Sequence, residues 1–219
     1  MRAQLQLAID TLTPREALTL IEQVSASIDL IEAGTPFLKR FGLGVLAQFH
    51  QVAPEKLLVA DMKCMDAGAY EAAIAFDAGA DIVTILGCAP DETLLAALKE
   101  ARRRQRHILV DLIAVAHPIQ RAQQLERLGI DYIGVHTGLD QQAQGQTPLA
   151  MLKEIRAAVQ TPVAVAGGIN GESINAIAAL DPTLIIVGSH ITQASDPVAV
   201  SLALRKSLDR QQQRVQPVG

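Results

Sequence analysis

The chain alternates between short apolar runs and longer amphipathic segments over almost its whole length. Eight runs are rich in Val, Ile and Leu and do not alternate with polar residues: Leu5–Ile9, Ile28–Ile31, Leu57–Ala60, Ile82–Leu86, His107–Leu112, Tyr132–Val135, Val163–Ala166 and Leu184–Val187. A short apolar run of this kind is typical of a strand that is buried on both faces, as in a parallel sheet. The pattern therefore predicts eight parallel strands.

The segments between these runs carry the signals of helix ends. Thr13 precedes Pro14 and suits an N-cap followed by proline at the first helical position. The segment that opens with Asp91 and Glu92 ends in arginines, which is the favourable order for a helix dipole. Further helix starts are indicated by Pro118, Pro148 and Pro197, and further helix ends by Gly79 and Gly129. We therefore expect a helix after each strand.

Eight strand-then-helix units predict the fold class. Strand–helix alternation requires a parallel sheet with right-handed crossovers, and eight units favour an α/β protein built as a single (β/α)8 TIM barrel. An open doubly wound sheet is the alternative that this order also allows. We expect residues 1–210 to form the barrel and the polar residues 211–219 to form a C-terminal tail.

Composition and charge narrow the classes of function. Of 219 residues, 49% are hydrophobic and 3% are aromatic, and the formal net charge is −4. This acidic balance argues against nucleic acid as a partner, and the one basic cluster, Arg102–Arg106, suits the end of a helix. The cysteines Cys64 and Cys88 do not make a disulfide framework. Because no apolar run reaches the roughly 18 residues of a membrane span and the start does not resemble a signal peptide, we expect a cytoplasmic protein without a membrane partner.

Charged residues and glycines stand at the ends of the predicted strands. In a (β/α)8 barrel the C-terminal strand ends carry the working residues, and they converge on one mouth. The residues at or just after these ends are Asp10, Glu32, Asp61, Lys63, Asp66, Asp111, His136, Gly167, Gly168, Gly188 and Ser189. We therefore expect the active site at this mouth.

The charged residues suggest acid–base and metal chemistry. Asp61 and Lys63 are two positions apart, so strand alternation directs both side chains into the barrel, where a purely structural ion pair is the alternative. Glu32 and Asp61 lie on neighbouring strand ends and could hold one Mg²⁺, unless one of them only pairs with Lys63. His136 is either a proton carrier or a structural histidine. Cys64 is interpreted as a packing residue rather than a nucleophile.

The last two predicted strands end in glycine turns, Gly167-Gly168 and Gly188-Ser189. Loops after the seventh and eighth strands of such barrels often bind phosphate through backbone N–H groups, and glycine allows the backbone a close approach. A pair of tight turns without a ligand is the alternative. Two such turns on consecutive strands favour a phosphate site.

Several stretches resemble a known group of enzymes. LVADMKCMDAGAYE (Leu58–Glu71) resembles the Asp-x-Lys-x-x-Asp signature of the orotidine monophosphate decarboxylase suprafamily. Further stretches resemble its 3-hexulose-6-phosphate synthase branch: LAID (Leu7–Asp10), IEAGTP (Ile31–Pro36), VHTGLDQQAQGQTPL (Val135–Leu149), AVAGGIN (Ala164–Asn170) and VGSHIT (Val187–Thr192). The resemblance implies a homodimeric barrel enzyme with shared active sites that condenses formaldehyde with the phosphosugar D-ribulose 5-phosphate.

The resemblance also implies a role for each motif residue. Glu32 and Asp61 would ligate Mg²⁺, with Mn²⁺ as a substitute, and Asp10 would contact the substrate. Asp66 would reach across the dimer interface into the partner's site. The remaining roles are enediolate stabilisation by Lys63 and Asp66, proton transfer by His136, catalysis at the acidic position Asp111, and phosphate binding by Gly167, Gly168, Gly188 and Ser189.

Two alternatives stay open at this point. The sister group, 3-keto-L-gulonate 6-phosphate decarboxylase (KGPDC), usually reads His-Arg-x-Arg-Asp where this chain has His136-Thr137-Gly138-Leu139-Asp140, and Thr-Gly-Gly where it has Ala166-Gly167-Gly168. Leu139 also departs from the synthase, where tyrosine is common, so the substrate preference is open. The other alternative is a phosphosugar-binding barrel without turnover.

Overall fold

The computed structural model describes residues 3–215, and side chains from residue 3 to residue 213. Within these residues, parallel strands close into one barrel in chain order, with the last strand paired to the first. The strands are β1 Gln4–Ile9, β2 Leu30–Ala33, β3 Leu57–Cys64, β4 Ile82–Leu86, β5 His107–Asp111, β6 Tyr132–His136, β7 Val163–Ala166 and β8 Leu184–Val187. The prediction of a (β/α)8 barrel is confirmed.

Helices follow the strands and form the outer layer. They are α1 Pro14–Val24, α2 Thr35–Phe41, α3 Val45–Val52, α4 Gly68–Asp77, α5 Asp91–Arg104, α6 Pro118–Leu128, α7 Leu139–Gln142, α8 Leu149–Ala158, α9 Ile174–Ala178, α10 Ser189–Thr192 and α11 Pro197–Val215. The predicted cap at Thr13 forms a capping box with Glu16. Gly129 caps α6 in the left-handed conformation, with φ of 76°.

The C-terminal boundary differs from the predicted one. Helix α11 continues through Val215, so it extends into the segment 211–219 that we expected to be a polar tail. Polar residues such as Gln and Arg are good helix formers, and they extend a helix that is already nucleated by its packed first turns. Residues 216–219 lie outside the described part of the chain.

Aspartates tie neighbouring strands together at the N-terminal face of the barrel. Asp81 and Asp131 each accept a hydrogen bond from a backbone N–H of the preceding strand, at 2.8 Å from Leu58 and 2.9 Å from Ile108. Each also pairs with an arginine of the basic cluster, Arg106 and Arg102 respectively. The cluster therefore lies at the end of α5 and neutralises acids at the closed end of the barrel.

Apolar side chains fill the barrel interior from this face upward. One cluster comes from residues on the inner faces of the strands: Leu30, Val59, Ile82, Leu109, Ala164 and Leu184. A second and larger layer lies between the strands and the helices. The interior is thus closed at the N-terminal end and open only at the C-terminal ends of the strands. Among residues 3–215, the helices are too short or too polar to cross a bilayer.

Candidate active site

A cavity of about 340 Å³ lies at the C-terminal ends of the strands, above the apolar interior. Ten of the eleven residues proposed from the sequence line it: Asp10, Glu32, Asp61, Lys63, Asp111, His136, Gly167, Gly168, Gly188 and Ser189. The eleventh, Asp66, does not. The barrel thus brings together residues that are as far apart in the chain as Asp10 and Ser189.

Lys63 reaches the cavity by a route that strand alternation does not predict. The pairing of β3 with β4 shifts register between Ala60 and Cys64, and Lys63 has a left-handed φ of 48°. This conformation is uncommon for a residue other than glycine. It is held by a hydrogen bond from the Lys63 backbone N–H to Thr84 Oγ1 at 3.0 Å. A bulge in β3 therefore sets the position of the lysine.

The Lys63 ammonium lies between two buried carboxylates. Its Nζ is 2.9 Å from Asp61 Oδ2 and 2.9 Å from Asp111 Oδ2. Burial alone lowers the pKa of Lys63, but the charges of Asp61 and Asp111 and their hydrogen bonds outweigh it and raise that pKa. Lys63 is therefore a fixed positive charge at the base of the cavity.

Asp111 joins Lys63 to His136. Its Oδ2 is 2.8 Å from His136 Nδ1, and its Oδ1 accepts the backbone N–H of Ile113 at 2.8 Å. Burial raises the pKa of Asp111, but the hydrogen bond and charge of His136 and the Lys63 ammonium lower it to about 2. An ionised carboxylate only accepts hydrogen bonds, so Nδ1 of His136 carries a proton. In the neutral ring, Nε2 then has the lone pair that a base needs.

Glu32 lies near more negative charges than positive ones, namely those of Asp61 and Asp10 against that of Lys63. Burial and the charges of Asp61 and Asp10 raise the pKa of Glu32 well above its ordinary value. Burial and the Asp61 charge likewise raise the pKa of Asp10. Asp61 itself accepts hydrogen bonds from Thr35 Oγ1 at 2.7 Å and from Thr84 Oγ1 at 2.6 Å. A further positive charge beside Glu32 would relieve this repulsion.

The donor set suits a hard divalent cation. Mg²⁺ keeps several waters and is usually held by one or two carboxylates together with substrate oxygens. Glu32 and Asp61, on the neighbouring strands β2 and β3, provide such a pair. In the described part of the chain, no group of three or more His, Cys, Asp or Glu side chains converges as a metal-ligand set. The residues therefore fit a Mg²⁺ with few protein ligands better than a fully enclosed metal centre.

The glycine turns after β7 and β8 line the same cavity as these acids. Gly167 has φ of 112°, and a Cβ atom there would come 2.3 Å from the Thr137 carbonyl oxygen. A Cβ on Gly168 would lie 3.2 Å from Gln142 Oε1. At Gly167, a side chain larger than hydrogen would therefore displace the turn after β7 from the loop after β6. The backbone of both turns lines the cavity.

Asp66 is the one proposed site residue that the structure places elsewhere. It is exposed on the loop between β3 and α4, where its Oδ1 accepts the backbone N–H of Ala67 at 2.7 Å. The β3 strand ends at Cys64, so the chain has already left the barrel mouth at this position. Asp66 therefore does not act in the cavity of its own subunit as the structure stands.

Several residues that line the cavity were not predicted from the sequence. Gln6, Thr35, Thr84 and Gln142 line the cavity. Gln6 and Thr84 are polar residues within apolar strands, and this interruption was a signal that could have identified them. Thr35 and Gln142 lie in helices that follow a strand end, and nothing local distinguishes them from other polar residues there. The hydrogen bond from Thr35 to Asp61 joins residues 26 positions apart, whereas Gln142 donates to the Thr137 carbonyl five positions earlier.

Known proteins are similar to this chain in both fold and sequence. The model of the orotidine 5'-phosphate decarboxylase / HUMPS family matches residues 3–204. The 3-hexulose-6-phosphate synthase of Staphylococcus epidermidis is 43% identical over 207 residues, which cover 94% of this chain and 99% of that protein. The structure of 3-hexulose-6-phosphate synthase from Salmonella typhimurium superposes with a TM-score of 0.93 at 38% identity, covering 95% of this chain and 99% of that one.

A second kind of enzyme superposes nearly as well. The structure of KGPDC from Streptococcus mutans in a ligand complex has a TM-score of 0.88 at 29% identity, and the match covers 95% of this chain and 98% of that one. The family model and these relatives cover nearly the whole chain. The chain belongs to the orotidine 5'-phosphate decarboxylase / HUMPS family.

Proposed function

We propose that this chain catalyses the reaction of 3-hexulose-6-phosphate synthase. The reaction is the reversible aldol condensation of formaldehyde with D-ribulose 5-phosphate, which yields D-arabino-hex-3-ulose 6-phosphate. Curated relatives of that name are 43% identical over nearly the whole chain. The observation that carries the proposal is the cavity itself. It brings together a lysine, a histidine, carboxylates and two glycine turns suited to a phosphate.

The proton transfer is assigned to His136. The Nε2 lone pair of the neutral ring accepts the C1 proton of the pentulose phosphate, and Asp111 stabilises the resulting imidazolium through Nδ1. The substrate is left as a 1,2-enediolate, whose negative charge lies near the Lys63 ammonium. Its C1 then attacks the formaldehyde carbon, and the new alkoxide takes a proton from His136. One C–H bond and the π bond of the formaldehyde carbonyl are broken, and one C–C and one O–H bond are formed.

The metal has a supporting role in this proposal. Mg²⁺, or Mn²⁺ in its place, would be held by Glu32 and Asp61 and would supply positive charge to the enediolate oxygens. Glu32 and Asp61 are both buried, and their negative charges repel each other, so a cation held between them would stabilise both. The glycine turns would hold the phosphate at the far end and so orient C1 toward His136.

Replacement of Gly167 by alanine should weaken phosphosugar binding. The new Cβ would collide with the Thr137 carbonyl and hold the turn after β7 away from its place. We expect KM for D-ribulose 5-phosphate to rise by about 10- to 100-fold, as for a misplaced positioning group. Gly145→Ala is the matched control, since Gly145 also has a positive φ of 80°, but an added Cβ there would meet no described atom within 4 Å. The measurement is the steady-state kinetics of both variants. An equal KM in the two would contradict phosphate binding by the glycine turns.

A homodimer with shared sites would give Asp66 a role. Asp66 lies outside its own cavity, and the apolar side chains of Met65 and Tyr70 beside it are 48% and 71% exposed. Ile74, on the same helix α4 as Tyr70, is 37% exposed. An apolar surface around a misplaced acid suits an interface through which Asp66 enters the partner's site.

We also propose that the protein is cytoplasmic and has no nucleic-acid partner.

Mixing two inactive variants tests the shared site. Asp66→Ala subunits keep Lys63, and Lys63→Ala subunits keep Asp66, so a mixed dimer contains one site with both residues. Random reassociation makes half of the dimers mixed, and we expect about a quarter of wild-type activity to return. Self-mixed samples of each variant are the controls. If mixed dimers form, as seen by native mass spectrometry, and no activity returns, Asp66 does not act across an interface.

The choice between synthase and KGPDC rests on the loop after β6. KGPDC-type decarboxylation needs cationic help near the departing carboxylate, and Thr137, Gly138 and Leu139 provide none. Leu139 lines the cavity and is 71% exposed, so it offers an apolar surface that suits a small neutral aldehyde. The wild-type enzyme should therefore use D-ribulose 5-phosphate with formaldehyde far better than 3-keto-L-gulonate 6-phosphate.

The decisive assay measures kcat/KM for both substrates on the same preparation. A higher value for the keto-gulonate substrate would favour the decarboxylase, and no turnover of either substrate would favour a phosphosugar-binding barrel. Leu139→Arg together with Thr137→Arg should raise any trace of decarboxylation and lower synthesis. Leu149→Arg is the control for added charge, because Leu149 is a leucine on α8 that is 38% exposed and does not line the cavity.

A further inference from the structure

Gln6 is a fully buried polar residue in the wall of the cavity. It lies on β1, with an exposure of 0%, between neighbours on β2 and β8. Its Nε2 donates a hydrogen bond to Glu32 Oε2 at 2.5 Å. Its Oε1 has no hydrogen-bond partner among the described residues. The amide nitrogen of this buried side chain is therefore hydrogen-bonded, and its amide oxygen is not.

The orientation of the Gln6 amide suits a charged Glu32. A carboxylate that binds a cation is ionised and can only accept hydrogen bonds, so the amide must present Nε2 to it, and Oε1 is left facing other groups. Buried polar atoms in proteins are nearly always paired with protein or with ordered water. The residues paired with Gln6 on the adjacent strands are Leu30 and Ile186, whose side chains are apolar. The missing donor for Oε1 is thus expected to be a water molecule.

Gln6 lines the cavity beside Glu32, one of the two proposed ligands of the cation. Mg²⁺ gives up its hydration waters reluctantly and keeps several of them in protein sites. Each such water donates hydrogen bonds and needs acceptors around the ion. Groups behind the ligands commonly orient them in this way and tune the affinity for the metal.

We infer that Gln6 is a positioning residue for the metal site: its Nε2 holds the Glu32 carboxylate in place, and its Oε1 accepts a hydrogen bond from a water that hydrates the cation. The inference rests on the proposed function, since it takes Glu32 as a metal ligand. It adds to that function a buried residue that acts behind the ligand rather than on the phosphosugar.

The test measures binding of Mn²⁺ alone, by electron paramagnetic resonance, to wild type and to Gln6→Met. Methionine has a similar length and no amide, so it removes both hydrogen bonds with little change of volume. We expect the Kd for Mn²⁺ to rise by about 10- to 100-fold. Gln4→Met is the matched control, because Gln4 is the other glutamine of β1 and does not line the cavity. Its Kd should stay close to that of wild type.

A second measurement separates positioning from general damage. Inorganic phosphate binds without the metal ligands, so its Kd should be unchanged in Gln6→Met if Gln6 acts only on the cation site. Equal Mn²⁺ affinity in wild type and Gln6→Met would overturn the role of Gln6 and leave the metal proposal intact. Absence of Mn²⁺ binding in wild type would overturn both. If Gln6→Met does not fold, Gln6→Asn gives the same decision, since the shorter amide cannot reach Glu32 and the water together.

Discussion

Replacement of Lys63 by methionine is expected to lower kcat by about 100- to 1000-fold, the range seen when one preorganised charge or donor is removed from an active site. Lys63 is the one Lys or Arg side chain among the described residues that line the cavity. Its ammonium lies 2.9 Å from both Asp61 and Asp111. Without it, the enediolate loses its fixed positive neighbour, and assays of product formation should show the loss directly.

The same change should destabilise the protein. Asp61 and Asp111 are buried, and removal of their shared partner leaves two acids uncompensated, a change that costs about 3–5 kcal/mol for a buried pair. The variant Lys63→Arg should therefore be measured beside Lys63→Met. Arginine keeps the charge, so the urea midpoint should stay closer to that of wild type, but its planar fork does not fit the site of a compact ammonium, and kcat should remain low.

Lys153→Met is the control for loss of a lysine, because Lys153 is exposed on α8 and away from the cavity. It should leave both kcat and the urea midpoint unchanged. A Lys63→Met enzyme that keeps more than about a tenth of wild-type kcat would contradict the assignment, since it would fall well short of the effect of a preorganised charge.

The second large effect should come from the metal. Thorough chelation with EDTA is expected to abolish activity, and Mg²⁺ or Mn²⁺ should restore it. Glu32→Gln should lower kcat/KM by at least about 100-fold, because even residues behind the ligands change activity or affinity by about 10- to 100-fold. The measurement is a titration of activity against free Mg²⁺ for wild type and variant.

Glu32→Gln is a cleaner test than Asp61→Ala. Asp61 also holds Lys63 through hydrogen bonds of 2.9 and 3.0 Å, so its removal disturbs the lysine as well as the metal. Glu32 instead accepts its hydrogen bond from Gln6. Glu154→Gln, an exposed acid on α8, is the control and should titrate as wild type does. Full activity of the wild type in chelator would remove the metal from the mechanism.

The architecture could be predicted because it depends on local signals. Eight apolar runs and the proline and glycine signals between them are each readable within a few residues, and the observed strands overlap every predicted run. Once the barrel is given, the direction of parallel strands places all their C-terminal ends at one mouth. Ten of the proposed residues therefore line one cavity, although their roles remain predictions.

The contacts inside that cavity could not be predicted in the same way. Those of Lys63 with Thr84 and with Asp111 join residues 21 and 48 positions apart. The bulge that turns Lys63 into the left-handed conformation is a property of the pairing of β3 with β4, not of the local sequence. The unpaired Oε1 of Gln6 likewise exists only because the barrel closes around it.

The sequence by itself determined which elements form and which side chains stand at the strand ends, since periodicity and end signals act over one or two turns of chain. Only the tertiary structure decided the rest: that Lys63 bridges Asp61 and Asp111, that Gln6 holds Glu32, and that Asp66 lies outside its own cavity. The physical reason is that burial, hydrogen-bond partners and the resulting pKa values depend on neighbours that only the closed barrel brings within reach.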